Sequence, residues 1–256
     1  MAAPTHPPAQ LHLWPGWAVY VGPGRRATFH RHLAVEVVIG VSGAVELAED
    51  QATHSCVGVL VPSQVPHSVN TPDTTIVVVW SESLALRQAT KGLATLQCLN
   101  CRRASDITRK ITAQLTSLTP HDLDRFILES LDKPVPNPVT LDKRVEQSLE
   151  TISKWPFAPT RSVITQLADE VQLSPSRLRH LFQAQVGVSL KSYLQWKRLL
   201  LTAQRAAQGA SLTEAAHTLD FADSAHFSRV FRDSFGLTPS EIFRSQFIQV
   251  IARENF

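Results

Sequence analysis

Three histidines and a glutamate have the types and spacing to do chemistry in this chain. The stretch "GRRATFHRHLAVEVVIGVSG" places His30, His32 and Glu36 at even offsets. If "HRHLAVEVV" runs as a strand, its two-residue period turns all three side chains to one face. A later strand entry, "PSQVPHSVN", can bring His67 beside them. Three imidazoles and a carboxylate suit a divalent transition metal with coordination positions left open. The same four residues suit a small-molecule effector, and as a hydrogen-bonded polar patch they need hold neither. Spacing fixes neither ligand geometry nor the groups that orient the ligands. Metal occupancy therefore stays undecided, and no cofactor is required.

A second set of polar side chains lies on a repeated unit. Ala168, Val171 and Leu173 match Ala216, Leu219 and Phe221 at an offset of 48; Leu178, Phe182 and Gly187 match Phe227, Phe231 and Gly236 at 49. Each unit reads as helix, turn, helix. In the first, Ser174 and Pro175 are an N-cap and a first-turn proline, and Leu178, Leu181 and Phe182 form the inner face. Ser176, Arg177, Arg179, His180 and Gln183 are left outside. In the second, Ser211 and Glu214 read as a capping box, Asp223 or Ser224 caps the next helix, and Phe227, Val230 and Phe231 point inward. Ala225, His226, Ser228, Arg229 and Arg232 point outward, and Thr238 with Glu241 opens another helix. "SLKSYLQWKRLLLTAQRAAQG" joins the units as one long helix that sets their separation. Successive major grooves on one face of a duplex lie about 34 Å apart, which suits two readers on a fixed rod. A plain helical bundle with a solvated basic face is the bland alternative.

The elements that position these residues change character along the chain. Val19 to Trp80 reads as short β-branched runs broken by Gly, Pro, Ser and Asp, the pattern of an antiparallel sandwich or barrel. Ile107, Ile111, Leu115 and Leu118, then Leu123, Phe126, Ile127 and Leu131, fall at helical spacing. "KPVPNPVT" is a stiff linker, and everything from Leu141 on reads as helix. The first 140 residues carry equal charges of each sign, so the net +3 belongs to the helical half. That excess is small, and placement must carry any case for nucleic acid.

Length and composition fit about two domains of roughly 100–200 residues each, with 43% hydrophobic residues to fill their cores. "MAAPTHPPAQ" lacks the basic and apolar regions of a secretory leader, and "TIVVVW" is far too short to span a bilayer. No membrane partner is expected, and a cytoplasmic location is expected. Three cysteines argue against a disulfide scaffold, so Cys98 and Cys101 of "CLNC" read as a reduced thiol pair.

"LADEVQLSPSRLRHLF…VGVSLKSYLQWKRLLLTAQ", followed by "FADSAHFSRVFRDSFGLTPSEIFR", resembles the AraC/XylS family of transcription regulators over about Leu141–Arg244. The resemblance implies base contacts from Ser176, Arg179 and His180 and from Ala225, Ser228 and Arg229. Arg177, Lys191, Lys197, Arg198 and Arg232 suit phosphates or solvated charge. The family's second turn usually has glycine where this chain has Asp220. The first half resembles the first cupin motif in full: Gly24, His30, His32, Glu36 and Gly43. The second motif is partial: Pro62 and His67 keep their spacing, but Gln64 replaces a glycine and Asn70 falls one residue early.

The expected fold is α+β in two domains. A cupin-like antiparallel β-barrel or jelly roll over 1–100 senses an effector. A helical pair over 101–132 offers a dimer contact, and the linker is 133–140. An all-α domain with two helix–turn–helix units fills 141–247. The function implied is a DNA-binding regulator under small-molecule control, not an enzyme. Double-stranded DNA, an effector, a second copy and RNA polymerase are its partners. One rival is a metal-dependent cupin enzyme or metal sensor fused to a DNA-binding domain. The other is a constitutive DNA-binding module that dimerises through Ile107, Ile111 and Leu115.

Overall fold

Six consecutive buried residues, Val35–Gly40, mark a strand covered on both faces. A computed structural model of the chain shows what covers them; it describes residues 9–14, 16–50, 52–72, 74–115, 117–131, 140–154, 160–243 and 248–252. The first half forms β1 (Ala9–Trp14), β2 (Trp17–Pro23), β3 (Arg26–His30), β4 (Val35–Gly40) and β5 (Val45–Glu49). It continues with β6 (Ala52–Cys56), β7 (Gly58–Val61), β8 (His67–Asn70) and β9 (Thr75–Ser81). Helix α1 (Leu84–Ala89), strand β10 (Gln97–Leu99), α2 (Cys101–Gln114) and α3 (Pro120–Ser130) follow. The second half holds α4 (Lys143–Lys154), α5 (Thr160–Glu170), α6 (Pro175–Val186) and α7 (Leu190–Ala207). It ends with α8 (Leu212–Thr218), α9 (Ser224–Phe235), α10 (Pro239–Phe243) and β11 (Ile248–Ala252).

The strands form two sheets, ordered β10-β7-β4-β9-β2-β1-β11 and β3-β8-β5-β6. Val35, Val37 and Ile39 of β4 join Leu86 of α1, Ala104, Ile107 and Ile111 of α2, and Leu123, Ile127 and Leu128 of α3 in one core. Alternation turns Glu36 and Val38 to the opposite face. The helices thus cover one face of the larger sheet. Ile107 and Ile111 are buried in that core and Leu115 packs against it, so these residues are not free to form a dimer contact.

Two further expectations are corrected. Beyond Leu141 the chain is not all helix: β11 pairs in parallel with β1, Ala9 opposite Ile248 and Leu11 opposite Val250. The cysteines of "CLNC" are not both reduced: Cys98 is disulfide-bonded to Cys56, and Cys101 is free and exposed. Strand placement brings Cys56 and Cys98 together across 42 residues of sequence. Linker residues 133–139 lie outside the described residues.

The helical repeat is built on backbone geometry. After α5, the Leu173 N–H donates to Ala168 O (2.8 Å) and the Gln172 N–H to Asp169 O (3.1 Å). After α8, the Phe221 N–H donates to Ala216 O (3.0 Å) and the Asp220 N–H to His217 O (3.2 Å). Both are Schellman closures, which need a left-handed residue just past the helix. Gln172 and Asp220 supply it at φ 55° and 62°. Asp220 thus does what a glycine would, at a strain of about 1–2 kcal/mol. Ser174 Oγ then accepts from the Arg177 N–H (3.2 Å), and Asp223 Oδ1 from the His226 N–H (2.6 Å), 49 residues later. Thr238 and Glu241 close their box in both directions.

The chain divides into two compact units: Met1–Asn137 with Phe231–Phe256, and Pro138–Val230. The second unit therefore ends inside α9, well before 247. Within the first unit, Gly236 O accepts from the Thr28 N–H (3.0 Å) and Asp233 O from the Arg31 N–H (3.2 Å).

Gly187 and Gly236 both end their helices at positive φ, 82° and 67°. A Cβ on Gly187 would meet nothing within 4 Å, whereas one on Gly236 would lie 2.5 Å from Thr28 O. Gly187→Ala should therefore cost only the backbone strain, about 1 kcal/mol. Gly236→Ala should cost roughly 1–3 kcal/mol more through the clash. Equal losses in chemical denaturation would contradict this packing.

Asp124 on α3 is half-buried, and desolvation pushes its carboxyl up to about 6 although Ser83 and Ser81 hydrogen-bond to it. A raised folded value gives stability below the ordinary aspartate range, lost as pH rises through about 6. Asp124→Asn should stabilise the chain by about 1–3 kcal/mol at pH 7.5 and hardly at all near pH 4. Denaturant midpoints at the two pH values check it.

Candidate functional site

The two sheets meet over one carboxylate. Glu36 projects from β4, His30 ends β3, His67 begins β8, and His32 lies in the β3–β4 connection. A register shift in the β3–β8 pairing between Ala27 and His30 bends β3 just before its histidine. All four side chains are buried, His67 at 0% and His30 at 6% exposure. One ligand atom from each lies within 4.8 Å of the others. His30 and His67 rings stand 4.2 Å apart, and those of His32 and His67 5.2 Å. The structure thus brings together every residue the sequence nominated here.

Backbone carbonyls orient the rings. His30 Nδ1 lies 2.8 Å from Thr28 O, His32 Nδ1 2.9 Å from Ala34 O, and His67 Nδ1 3.0 Å from Val65 O. A carbonyl only accepts, so each Nδ1 carries its hydrogen and each neutral ring has its lone pair on Nε2. For His67 and His32 that nitrogen faces Glu36 Oε2, at 2.8 and 3.1 Å. Two acceptors at that distance require a proton or another cation between them. Burial alone would raise the Glu36 carboxyl, but hydrogen bonds from His32 and His67 outweigh it and hold it well below the ordinary range. Burial likewise works to lower the His67 pKa, yet its contact with Glu36 leaves it raised. His30 is lowered to about 3 by burial and by the neighbouring His67 and His32, so it is neutral at pH 7.

The partial second motif resolves residue by residue. Gln64 sits at φ 68°, the left-handed backbone a glycine adopts freely, and its N–H donates to His32 O (2.9 Å). Asn70 is exposed and its Nδ2 donates to Glu46 Oε2 (3.3 Å), away from the cluster. Glu36, not Asn70, is the fourth member.

On α6, Ser176, Arg177, Arg179, His180 and Gln183 are all exposed, while Leu178 and Phe182 are fully buried. On α9, Ala225, Arg229 and Arg232 are exposed, whereas His226 and Ser228 are half-buried. The His226 ring packs 5.4 Å from that of Phe221, and the Ser228 hydroxyl donates to Ser224 O (2.7 Å). Arg229 is therefore the freest long polar side chain near the start of α9. Lys191 is exposed, and Lys197 is half-buried beside Tyr193.

Arg198 is not the phosphate contact or solvated charge that the resemblance suggests. Its Nη1 donates to Asp220 O (3.2 Å), its guanidinium lies over the Phe221 ring at 4.7 Å, and its side chain is only 15% exposed. It braces the left-handed turn of the second unit. A long helix with one arginine near a strained turn is a weak sequence signal, which is why the role escapes reading by pattern. The Thr28, Ala34 and Val65 carbonyls that set the histidine tautomers leave no side-chain trace at all.

Comparison with known proteins agrees with this architecture. Residues 167–245 match a helix-turn-helix domain family. Over 120 residues the chain is 36% identical to the arabinose operon regulatory protein of Escherichia coli (strain K12), covering 45% of this chain and 37% of that protein. The match thus spans little more than a third of that relative's length. The probable transcriptional regulator LumQ of Photobacterium leiognathi is 22% identical over 235 residues, 83% of this chain and 90% of its own. The crystal structure of ToxT from Vibrio cholerae O395 shares the fold with a TM-score of 0.56 at 13% identity, over 88% of this chain and 96% of that one. Another ToxT structure, from strain SCE256, has an unsaturated fatty acid bound. With a β-rich first half and a duplicated helix–turn–helix unit in the second, the chain is similar to these transcription regulators and carries a helix-turn-helix domain over residues 167–245.

Proposed function

We propose that the chain is a sequence-specific DNA-binding transcription regulator whose sheet half senses a small molecule. The observation that carries this is the duplicated turn: two Schellman closures, each leading into a capped helix with an exposed arginine, Arg179 or Arg229. Arginine at such a place can pair bidentately with guanine in the major groove. Ser176, His180 and Gln183 offer further base contacts on α6, and Ala225 offers a methyl to thymine on α9. Arg177, Lys191 and Arg232 supply phosphate contacts. With Ser228 back-bonded, discrimination by the second unit rests mainly on Arg229.

ToxT with its fatty acid is a family precedent for effector binding, and we extend that role to the His30, His32, Glu36 and His67 pocket. A ligand there shifts the protein between states only as far as it binds one of them better. A homodimer and contact with RNA polymerase complete the reading, on family grounds. So does a cytoplasmic location; among the described residues no helix is long and apolar enough to cross a membrane. The relatives are regulators, which favours a sensor over an enzyme.

A metal sensor is the second reading, favoured by the convergence of Nε2 lone pairs on Glu36. The donor set fits: His30, His32, Glu36 and His67 would hold a divalent transition metal. Bound there, the ion supplies a Lewis-acidic point for an effector's oxygen. The Thr28, Ala34 and Val65 carbonyls keep the rings turned with Nε2 inward. Purified chain should then take up one equivalent of Zn2+ or Co2+, and His32→Ala or His67→Ala should weaken uptake about 10–100-fold or more. Metal content equal in wild type and both variants would leave the organic effector as the pocket's ligand.

On DNA, Arg229→Ala should relax preference at one base pair and cost about 1–3 kcal/mol on the cognate site. Lys191→Ala should weaken binding to all sequences and lower the salt slope by about 1. Equal losses on cognate and random duplex for both variants would contradict the assignment.

A further inference from the structure

We propose that Cys56 and Cys98 form a reversible dithiol–disulfide couple, a redox modification site of the sheet half. Cys56 ends β6, the outer strand of the smaller sheet, and Cys98 is the middle residue of β10, the outer strand of the larger one. The bond spans 42 residues of sequence and ties one edge of each sheet to the other. The two Cα atoms stand 5.9 Å apart, within the range a disulfide requires. Cys98 is exposed and Cys56 half-buried, so small thiols and disulfides can reach the pair.

Compartment chemistry makes the bond reversible. A protein that acts on cytoplasmic DNA works where thiols are kept reduced, and disulfides there are usually transient and redox-sensing. This leg of the inference rests on the DNA-binding reading above. The structural leg does not. Beside the cysteines, Glu49 at the end of β5 accepts from the Leu96 N–H (2.8 Å) with one oxygen, and its other lies 2.8 Å from His54 Nε2. That latch links the β5–β6 hairpin to the chain entering β10, so the thiols stay within reach when the bond is open. Forming and breaking the disulfide therefore need not unfold the edge.

The consequence falls on α2. Strand β10 leads directly into Asn100, whose side chain caps α2 by accepting from the Arg103 N–H (2.9 Å). Ala104, Ile107 and Ile111 then enter the core that backs β4, the strand carrying Glu36. Oxidation pins the start of that helix to the smaller sheet; reduction leaves it to the Glu49 latch. The chemistry balances with a low-molecular-weight disulfide as oxidant. The Cys98 thiolate attacks one of its sulfurs and expels a thiolate, which takes up a proton. The Cys56 thiolate then attacks the Cys98 sulfur of the mixed disulfide and expels the second thiol. Two cysteine thiols are oxidised, and one small disulfide is reduced to two thiols.

The test uses the full chain in buffers of graded reduced and oxidised glutathione, quenched with acid, alkylated and mapped by peptide mass. One intramolecular Cys56–Cys98 linkage should form and dissolve with the ratio, while Cys101 stays alkylated throughout. Cys101→Ser should behave as wild type, and Cys98→Ser should form no intramolecular bond. Amide exchange at β10 and the first turn of α2 should slow several-fold on oxidation. A Cys98–Cys101 linkage, no linkage at any ratio, a bond that reduced glutathione cannot open, or unchanged exchange would each overturn the proposal. None of these readouts involves DNA, so a failure of the DNA-binding reading would show separately, as absent duplex binding in both redox states.

Discussion

A carboxylate removed from water must be met by donors or positive charge, and Glu36 is nearly fully buried. Its position on β4, its contact with His67 on β8 and its contact with His32 in the β3–β4 connection draw the sheets together at this point. The requirement propagates outward. Each imidazole is held by a carbonyl two residues away, so the β3 bend, the left-handed Gln64 and the strand starts at His67 and Val35 all serve ring orientation. Had these carbonyls been elsewhere, the rings could turn and the lone pairs would no longer converge. A site built this way gathers three imidazoles around one buried carboxylate.

The helical half obeys a different constraint, one of backbone rather than charge. Both turns place a non-glycine residue in the left-handed region and close with the same pair of hydrogen bonds. The inserted residue lies after that closure and before the helix cap, which is why the matching offset changes from 48 to 49 between the turn and the cap. In the second unit Arg198 adds support to the Asp220 carbonyl.

Much of this was legible in the residues. Even offsets put His30, His32 and Glu36 together; the caps at Ser174 and Thr238 were readable outright, and Asp223 was one of two candidates, with Ser224, for the start of α9. What escaped depended on partners distant in sequence. Periodicity showed that Ile107 and Ile111 share a face of α2 but not that β4 lies beneath it, so the face could pass for a dimer surface. Cys98 read as a reduced thiol because spacing says nothing about which strand runs alongside, and Cys56 lies 42 residues away in sequence. β11 is five residues with no helical signal to contradict, and only its pairing with β1 defines it. Gln64 shows the reverse case: its side chain gives no sign of left-handed backbone, and its bond to His32 O is distant in sequence, whereas Gln172 and Asp220 are set by local helix-end closures.

Strand β3 is the outermost strand of the smaller sheet, with β8 on one side only. Its other rail would ordinarily present unsatisfied amides to solvent and invite a foreign strand to zip on. Here the Thr28 and Arg31 amides are already spent on Gly236 and Asp233 of the chain's own C-terminal segment. That self-blocking protects the histidine-bearing strand from cross-β stacking in a crowded solution.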